Sequence, residues 1–222
     1  MKKQPLDKKS QTLDGITYHY SSDWIHHLES EEHWRLYWWQ ASLINDSIRP
    51  SDRVLEIGVG SGFMANYLQS RGVDVTTMDI DPEKQPDIVA NVVSVDWQQY
   101  QFDHILAFEV FEHIPFAKFE TVLESMLLIC NKTISLSVPL NERVLLRADI
   151  RMPVMGRRRI NITLPKFKID EAHHFWEVGM GQTSKKQIVD VFAANKFRLV
   201  ETYSVFSRLF LKFKNNGNTG AA

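Results

Sequence analysis

A glycine-rich turn between an apolar run and the start of a helix constrains this chain more than any other feature. Residues 54–63 read VLEIGVGSGF, in which Val54, Leu55 and Ile57 form a short apolar run that leads into three glycines. Glycine has no Cβ, so its backbone N–H groups can come close to a ligand. In open α/β sheets, ligands bind outside the carboxyl ends of the strands. The pattern therefore predicts a strand, a turn and a helix with a ligand site at the turn.

The spacing of the glycines excludes the usual dinucleotide fingerprint. The pattern G-x-G-x-x-G would place its third glycine at Phe63. The chain instead has E-x-G-x-G-x-G, with Glu56 followed by Gly58, Gly60 and Gly62. A nicotinamide dehydrogenase is therefore disfavoured. The pattern resembles motif I of the class I S-adenosylmethionine-dependent methyltransferases.

An acid stands at the end of the next predicted strand. Residues 73–82 read VDVTTMDIDP and alternate towards Asp79, about twenty residues after the turn. A carboxylate at this place can accept two hydrogen bonds from a ribose diol. A solvated acid that merely ends a strand is the alternative interpretation, and the preceding glycine turn favours the ribose role.

Two later segments continue the resemblance. Residues 91–97, NVVSVDW, predict a third strand and its end, and residues 102–115, FDHILAFEVFEHIP, resemble the family's motif IV region. In the family, the acid equivalent to Asp96 meets the adenine amino group, and the residue equivalent to Trp97 flanks the ring. The resemblance implies a cofactor site made of Glu56, Gly58, Gly60, Gly62, Asp79, Ile80, Asp96, Trp97, Phe108 and Glu109.

The resemblance also implies the fold. We expect an α/β, Rossmann-like fold with a seven-stranded, mostly parallel sheet, an antiparallel edge hairpin and helices on both faces. Residues 1–49 are predicted as a helical preface that either packs on the sheet or closes as a lid. Residues 50–213 form the core with a basic insert at 143–175, and residues 214–222 form a loose tail. The predicted later elements are helices at 119–128 and 184–195 and strands at 133–139, 197–206 and 208–213.

Composition bounds the remaining possibilities. A chain of 222 residues fits one large domain, and a hydrophobic content of 44% with a charged content of 24% is ordinary for a globular protein. Cys130 is the single cysteine, so no intrachain disulfide can form. No apolar run approaches the ~20 residues of a membrane span, and the net charge of −1 gives no general attraction to DNA. We expect a cytoplasmic monomer or homodimer without a signal peptide.

The basic insert is the candidate for acceptor recognition. Residues 143–168 carry eight arginines and lysines and one acid, Asp149. These residues could form a solvated loop. They could also capture a phosphate, a carboxylate or an anionic surface, because arginine makes bidentate contacts with such groups. The basic residues are not interleaved with aromatic residues, so stacking of single-stranded nucleic acid is not indicated.

Histidines supply the candidate catalytic groups. His113 follows Glu109 and Glu112 directly after the predicted fourth strand, and the pair His173 and His174 comes later. Histidine titrates near neutral pH, so each of the three could act as general base on an acceptor hydroxyl. The later pair could instead satisfy loop backbone groups.

A metal is the third option. The small-RNA 2′-O-methyltransferases and the ubiquinone-biosynthesis O-methyltransferases bind a divalent metal with an E-x-x-E-H run, and the former add a later histidine. Two carboxylates and imidazole suit Mg²⁺, Mn²⁺ or Zn²⁺. The run E-V-x-E-H is also widespread in family members not known to need metal, so we expect general-base catalysis and no metal.

The residues and the resemblance together favour one function. We expect methyl transfer from S-adenosylmethionine to an oxygen or nitrogen of a small-molecule acceptor that can carry phosphate or carboxylate, as in bacterial small-molecule methyltransferases. One alternative is metal-assisted methylation of RNA termini. Another is a non-catalytic subunit that binds the cofactor or serves as an interaction module.

Overall fold

The fold follows from a computed structural model that describes residues 9–20, 30–154, 156–166, 168–169, 174–181 and 183–217. The strands are β1 Lys9–Leu13, β2 Ile16–Tyr20, β3 Arg53–Ile57, β4 Asp74–Asp79, β5 Ile88–Val89, β6 Phe102–Phe108, β7 Cys130–Pro139, β8 Glu142–Met152, β9 Gly156–Pro165, β10 Phe197–Val205 and β11 Arg208–Asn215. The α-helices are α1 Glu31–Ile44, α2 Phe63–Ser70, α3 Phe116–Ile129 and α4 Lys185–Ala194. Short 3₁₀ helices cover Pro82–Lys84, Trp97–Gln99 and Phe111–His113. None of these helices is long and apolar enough to cross a bilayer.

The central sheet has the strand order β10-β11-β7-β6-β3-β4-β5. The pairs among β7, β6, β3, β4 and β5 are parallel, whereas β11 runs antiparallel to both of its neighbours. This topology confirms the predicted seven-stranded, mostly parallel sheet with an antiparallel edge hairpin. Because the parallel strands point the same way, the residues that follow them meet at one edge of the sheet.

The hydrophobic core has two parts, one on each face of the sheet, because successive apolar side chains of a strand point to opposite faces. Val54 of β3 packs in a cluster with Leu43 of α1 and Leu68 of α2. Its neighbour Leu55 packs in the other cluster, together with Phe119 of α3. Successive side chains in a strand point to opposite faces, so helices cover both faces, as predicted.

The predicted third strand at residues 91–97 is wrong. The strand that pairs with β4 is β5, which ends at Val89, and the chain then turns. The N–H groups of Ser94 and Val95 donate to the carbonyl oxygen of Asn91, at 3.0 and 3.1 Å. The Asn91 side chain also accepts from the N–H of Val93 at 3.1 Å. Local bonds of this kind at an asparagine favour a turn, and here they override the strand propensity of the valines.

The N-terminal preface is not wholly helical. Helix α1 covers residues 31–44 of the predicted preface, but β1 and β2 form an antiparallel hairpin before it. Asp14 and Gly15 make the turn of this hairpin with φ angles of 53° and 75°, the pair that a tight hairpin favours. The Tyr18 hydroxyl of this hairpin donates to Asn91 at 2.9 Å. Residues 21–29 of the predicted preface lie outside the described residues.

The later elements occur close to their predicted places, and β11 extends to Asn215, two residues beyond its predicted end. The basic insert is the exception. Its residues form the long hairpin β8–β9, with Glu142 paired to Pro165 at the base, rather than a loop.

Candidate active site

The glycine turn connects β3 to α2 at the carboxyl edge of the sheet. Gly58, Gly60 and Gly62 have φ angles of 79°, 56° and 75°, a backbone region that residues with a side chain rarely adopt. A Cβ on Gly58 would lie 2.6 Å from Cγ2 of Val110, so no larger residue fits there. Val110 immediately precedes the 3₁₀ turn Phe111–His113. The glycine turn and the histidine-bearing turn are therefore in direct contact.

Glu56 lies almost completely buried before this turn. Its side chain is 5% exposed and accepts a hydrogen bond from the backbone N–H of Ala65. Its Oε2 has no hydrogen-bond partner within the part of the chain that the structure describes. Burial, with a smaller contribution from the charge of Asp79, raises the pKa of Glu56 to about 8. An unused carboxyl oxygen in such a place is complementary to a cationic ligand group.

Asp79 closes β4 and organises the two neighbouring turns. Its Oδ2 accepts from the N–H of Val59 and from Nζ of Lys84, both at 2.9 Å. Its Oδ1 accepts from the N–H of Asp81 at 2.9 Å. A carboxylate offers about four acceptor positions, so Asp79 keeps capacity for one more hydrogen bond, fewer than the two that a ribose diol would donate. Its charge is already balanced by Lys84.

The predicted adenine contacts occupy different surroundings. Asp96 is exposed and accepts from the N–H of Gln98 at 3.1 Å at the start of a 3₁₀ helix. Trp97 is 6% exposed and belongs to the core cluster that includes α3. Ile80 and Phe108 are partly buried against the core clusters. The cofactor roles of these four residues stay predictions.

Glu109 connects the ends of three strands. It has a φ of 56°, an uncommon backbone conformation that is often found at functional sites. Its N–H donates to the carbonyl oxygen of Ser137 on β7 at 3.0 Å, and its Oε1 accepts from Ser137 Oγ at 2.7 Å. Its Oε2 forms an ion pair with Arg208 of β11. The geometry holds this carboxylate firmly at the edge of the sheet.

Glu112 is the most deeply buried acid of the site. It is 0% exposed, and neither carboxyl oxygen has a hydrogen-bond partner among the described residues. Burial, together with the nearby charges of Glu109 and Glu177, raises the pKa of Glu112 well above its usual value, against the opposing charge of Arg208. Burial therefore disfavours the charged form of this carboxyl group, and a bound cation would favour it.

Trp176 attaches the later histidine segment to the turn at Phe111–His113. Its Nε1 donates to the carbonyl oxygen of Ile114 at 3.0 Å, and its ring packs edge-on against Phe116 at 5.2 Å between centroids. The adjacent N–H of Phe175 donates to the carbonyl oxygen of Glu112 at 2.8 Å. These contacts bring together two segments that are distant in sequence.

The result is a cluster of two histidines and two acids. The rings of His113 and His174 meet edge-on with centroids 5.2 Å apart. Ligand atoms of Glu112, His113 and His174 all lie within 4.8 Å of one another. His174 Nδ1–H donates to Glu177 Oε1 at 2.9 Å, and Asn141 Nδ2 donates to Glu177 Oε2 at 2.7 Å. His173, the third predicted base, lies outside the described residues.

This cluster can serve as a base or as a metal site. With Nδ1 donating to Glu177, the Nε2 atom of His174 is an acceptor that can take a proton or bind a metal. A buried acid with unpaired oxygens beside two imidazoles is also a donor set that suits Zn²⁺ or Mn²⁺. The expectation of catalysis without metal stays a prediction.

A cleft of about 390 Å³ opens beside the cluster. It is lined by Glu32, Pro139, Leu140, Glu142, Val144, Arg147, Lys166, His174, Glu177, Phe206, Ser207 and Arg208. The guanidinium of Arg147 lies 4.6 Å from the centroid of the Phe206 ring. Of the arginines and lysines in the predicted insert, Arg147 and Lys166 thus reach the cleft. The side chains of residues 157–159 lie outside the description.

Sequence reasoning missed several residues of the site. Glu177 follows His174 by three residues in the run HHFWE, and this spacing could have suggested a carboxylate–histidine pair. Asn141, Phe206 and Arg208 give no comparable local signal, because the pairing of β11 with β7 brings the latter two to the cleft.

Comparison with known proteins identifies the family of this chain. Residues 23–162 match the family model described as "Methyltransferase domain". The chain belongs to this methyltransferase family. The prediction of a class I S-adenosylmethionine-dependent methyltransferase is thereby confirmed. A comparison with curated protein sequences gave no match.

Solved structures of other methyltransferases share the fold. The magnesium protoporphyrin IX methyltransferase of Synechocystis PCC 6803 with bound S-adenosylmethionine is 15% identical, with a TM-score of 0.55 over 82% of this chain and 78% of that one. The Burkholderia thailandensis 1,6-didemethyltoxoflavin N1-methyltransferase, bound to its acceptor and S-adenosylhomocysteine, is 15% identical, with a TM-score of 0.52 over 94% and 96%. A glycopeptide N-methyltransferase with S-adenosylhomocysteine is 10% identical, with a TM-score of 0.52 over 79% and 88%.

The buried acid before the glycine turn generates a test by pH. The pKa of Glu56 rises from 4.5 to about 8 on folding, so ionisation opposes folding progressively as the pH rises through this window. Gln cannot ionise. In Glu56→Gln the gain in unfolding free energy over the wild type should therefore increase between about pH 6 and about pH 9, by on the order of 2–3 kcal/mol. Urea denaturation of the ligand-free protein measures this difference, with Glu124→Gln on the exposed face of α3 as the control. If the gain in unfolding free energy of Glu56→Gln did not change with pH, the pKa of Glu56 would not be raised in the folded protein.

Proposed function

We propose that this chain transfers a methyl group from S-adenosylmethionine to an oxygen or nitrogen of a small-molecule acceptor. The observation that carries the proposal is the contact of Val110 with Gly58. This contact places a nucleotide-binding type of turn directly beside the turn that carries His113. Donor and acceptor would then meet at one edge of the sheet, and most of the catalytic effect would come from holding them at attack distance.

The residues of the glycine turn fit the donor. Glu56, with its unpaired buried oxygen, would receive the amino group, and Asp79 would accept a hydrogen bond from a ribose hydroxyl, or from both if Lys84 releases its bond. The glycine backbone would contact the body of the donor. When bound, S-adenosylmethionine supplies a methyl group activated by a sulfonium. Solved structures of the same fold that contain the donor or its demethylated product support this assignment.

His174 is the candidate general base. Glu177 accepts from its Nδ1–H, which fixes the tautomer and leaves Nε2 to receive the proton of an acceptor hydroxyl or amine. As the new bond to the methyl carbon forms and the carbon–sulfur bond breaks, that proton would move to Nε2. Glu177 would stabilise the resulting imidazolium, and His113 would contact the same acceptor from the neighbouring turn.

The cleft beside the cluster would hold the acceptor. Arg147 and Lys166 bring positive charge to a wall that also contains Phe206. An aromatic or amphipathic acceptor with a phosphate or carboxylate would use all three side chains. The acceptors in the names of the structural neighbours are a porphyrin, a toxoflavin precursor and a glycopeptide, which supports a small-molecule acceptor.

Metal-assisted transfer is the second candidate, because ligand atoms of Glu112, His113 and His174 lie within 4.8 Å of one another. Glu112 could ionise beside a bound cation, which would account for its unpaired oxygens. No described feature favours RNA termini as the acceptor. The cytoplasmic location and the choice between monomer and homodimer stay predictions.

The donor assignment is tested with Asp79→Asn. Loss of the carboxylate should weaken S-adenosylhomocysteine binding by about 2–3 kcal/mol, since the hydrogen bonds to a charged, buried acceptor are lost. Titration calorimetry measures the affinity. Asp74→Asn is the matched control, because Asp74 is exposed and lies at the start of the same strand, at the end opposite to Asp79. Equal affinity in the two variants, or preferential binding of NAD, would refute the assignment.

The base and the metal are separated by chelation. His174→Ala should lower kcat about 10²–10⁴-fold, the usual contribution of general-base catalysis, and EDTA should leave the wild type active on an acceptor found by screening. Titration of the protein with Mn²⁺ or Zn²⁺ alone gives a readout that does not depend on activity. If EDTA abolishes turnover and metal restores it, or if wild type but not His174→Ala binds the ion tightly, the metal-assisted candidate is right.

Recognition of an anionic acceptor is tested at Arg147. Arg147→Ala should raise the KM for a phosphate- or carboxylate-bearing acceptor roughly tenfold, as expected for a lost charged hydrogen bond, and leave S-adenosylhomocysteine affinity unchanged. The increase should shrink at 1 M salt, where the Debye length is ~3 Å. Arg198→Ala, an exposed arginine on β10, controls for the change in net charge. An unchanged KM at low salt would show that the cleft arginine has no part in binding.

A further inference from the structure

The hairpin β8–β9 has one aliphatic face that is exposed. Leu146 pairs with Ile162 and Ala148 pairs with Ile160. Directly opposed residues of an antiparallel pair lie on the same face, and the next residue on that face is two positions along. Ile150 therefore continues the row. The exposed fractions of the four large side chains are 42–49%.

This exposure is concentrated in the hairpin. Seven of the thirteen large hydrophobic residues that are exposed in the described part of the chain belong to β8, β9 or their connecting turn. Val154, in that turn, is 96% exposed. Strands β8 and β9 pair with each other alone in the described topology. Contiguous exposed apolar surface of this kind marks an interaction site.

Positive charge lies at both ends of the aliphatic face. Residues 143–168 contain eight basic residues against one acid, in a chain with a net charge of −1. Arg143 pairs with Leu164 at the base of the aliphatic face, and position 158, an arginine, pairs with Ile150 towards its tip. Arg147 and Arg151 pair with Asn161 and with position 157 on the opposite face. The aliphatic face therefore has a basic residue at each end.

We propose that this hairpin docks on a lipid surface rich in anionic headgroups. The aliphatic side chains would enter the boundary between headgroups and acyl chains, and the arginines would contact phosphates, because their long apolar stems let the charge reach outward. Charge complementarity favours this occupant over a second copy of the chain, since pairing two hairpins would bring two strongly basic segments together.

Docking would place the cleft near the bilayer. Val144 and Arg147 belong to the base of the hairpin and also line the cleft. The proposal does not require any particular acceptor, so it stands or falls independently of the proposed function.

Vesicle flotation tests the proposal with the full chain. Wild type should float with vesicles of phosphatidylcholine and phosphatidylglycerol, bind phosphatidylcholine alone at least tenfold more weakly, and detach at 1 M salt, where the Debye length is ~3 Å. Leu146→Ser/Ile162→Ser should reduce binding tenfold or more, because both side chains lose their apolar burial. Arg143→Ala/Arg158→Ala should reduce it about 25-fold, since both positions lie on the aliphatic face and each charge contributes roughly fivefold near an anionic surface.

The matched control is Leu128→Ser, which removes an equally large leucine that is 79% exposed on α3 and should float like the wild type. Thermal unfolding and S-adenosylhomocysteine affinity of every variant should match the wild type, which shows that the fold persists. Absence of flotation by the wild type overturns the proposal. It is also overturned if sedimentation velocity shows a lipid-free dimer that Leu146→Ser/Ile162→Ser dissociates, because the face would then be a contact between copies.

Discussion

The arrangement of this protein depends on the burial of carboxyl groups along one edge of a parallel sheet. Glu56 and Asp79 lie at the ends of two neighbouring strands, and Glu109 and Glu112 follow a third. Parallel strands end at the same edge, so these acids are brought together by topology alone. Burial disfavours the charged forms of Glu56 and Glu112. Lys84 balances Asp79 and Arg208 balances Glu109, whereas Glu56 and Glu112 keep oxygens without a partner among the described groups. Glu56 and Glu112 therefore offer oxygens at this edge that a bound cation could contact.

The two unpaired acids have different consequences. The unpaired Oε2 of Glu56 would bind a cationic group of a ligand at the glycine turn, where the methyl donor of this family would lie. Glu112 has a ligand atom within 4.8 Å of those of His113 and His174, and burial raises its pKa well above the usual value. A protonated Glu112 would leave His174 to act as a base supported by Glu177, whereas an ionised Glu112 would hold a metal. The protonation state of Glu112 thus separates the two mechanisms.

The long hairpin adds a second level of organisation. Its base contributes Val144 and Arg147 to the cleft, and its outer part carries apolar side chains that the core does not use. The hairpin would therefore link the acceptor cleft to the lipid surface proposed for its aliphatic face.

The sequence alone determined the glycine turn through a local pattern: an apolar run, glycines at fixed spacing, and an acid at the end of the next strand. The seven-stranded sheet and its edge hairpin were implied by the resemblance to methyltransferases that this pattern carries. The sequence also indicated the acids and histidines near the fourth strand. Only the tertiary structure decided that His174 meets His113, since Trp176 and Phe175 make that contact by bonds to Ile114 and Glu112, which leave no periodic signal. The same holds for Arg208, which reaches the site by strand pairing. Residues 91–97 failed as a strand because bonds to Asn91 outweigh the propensity of valine.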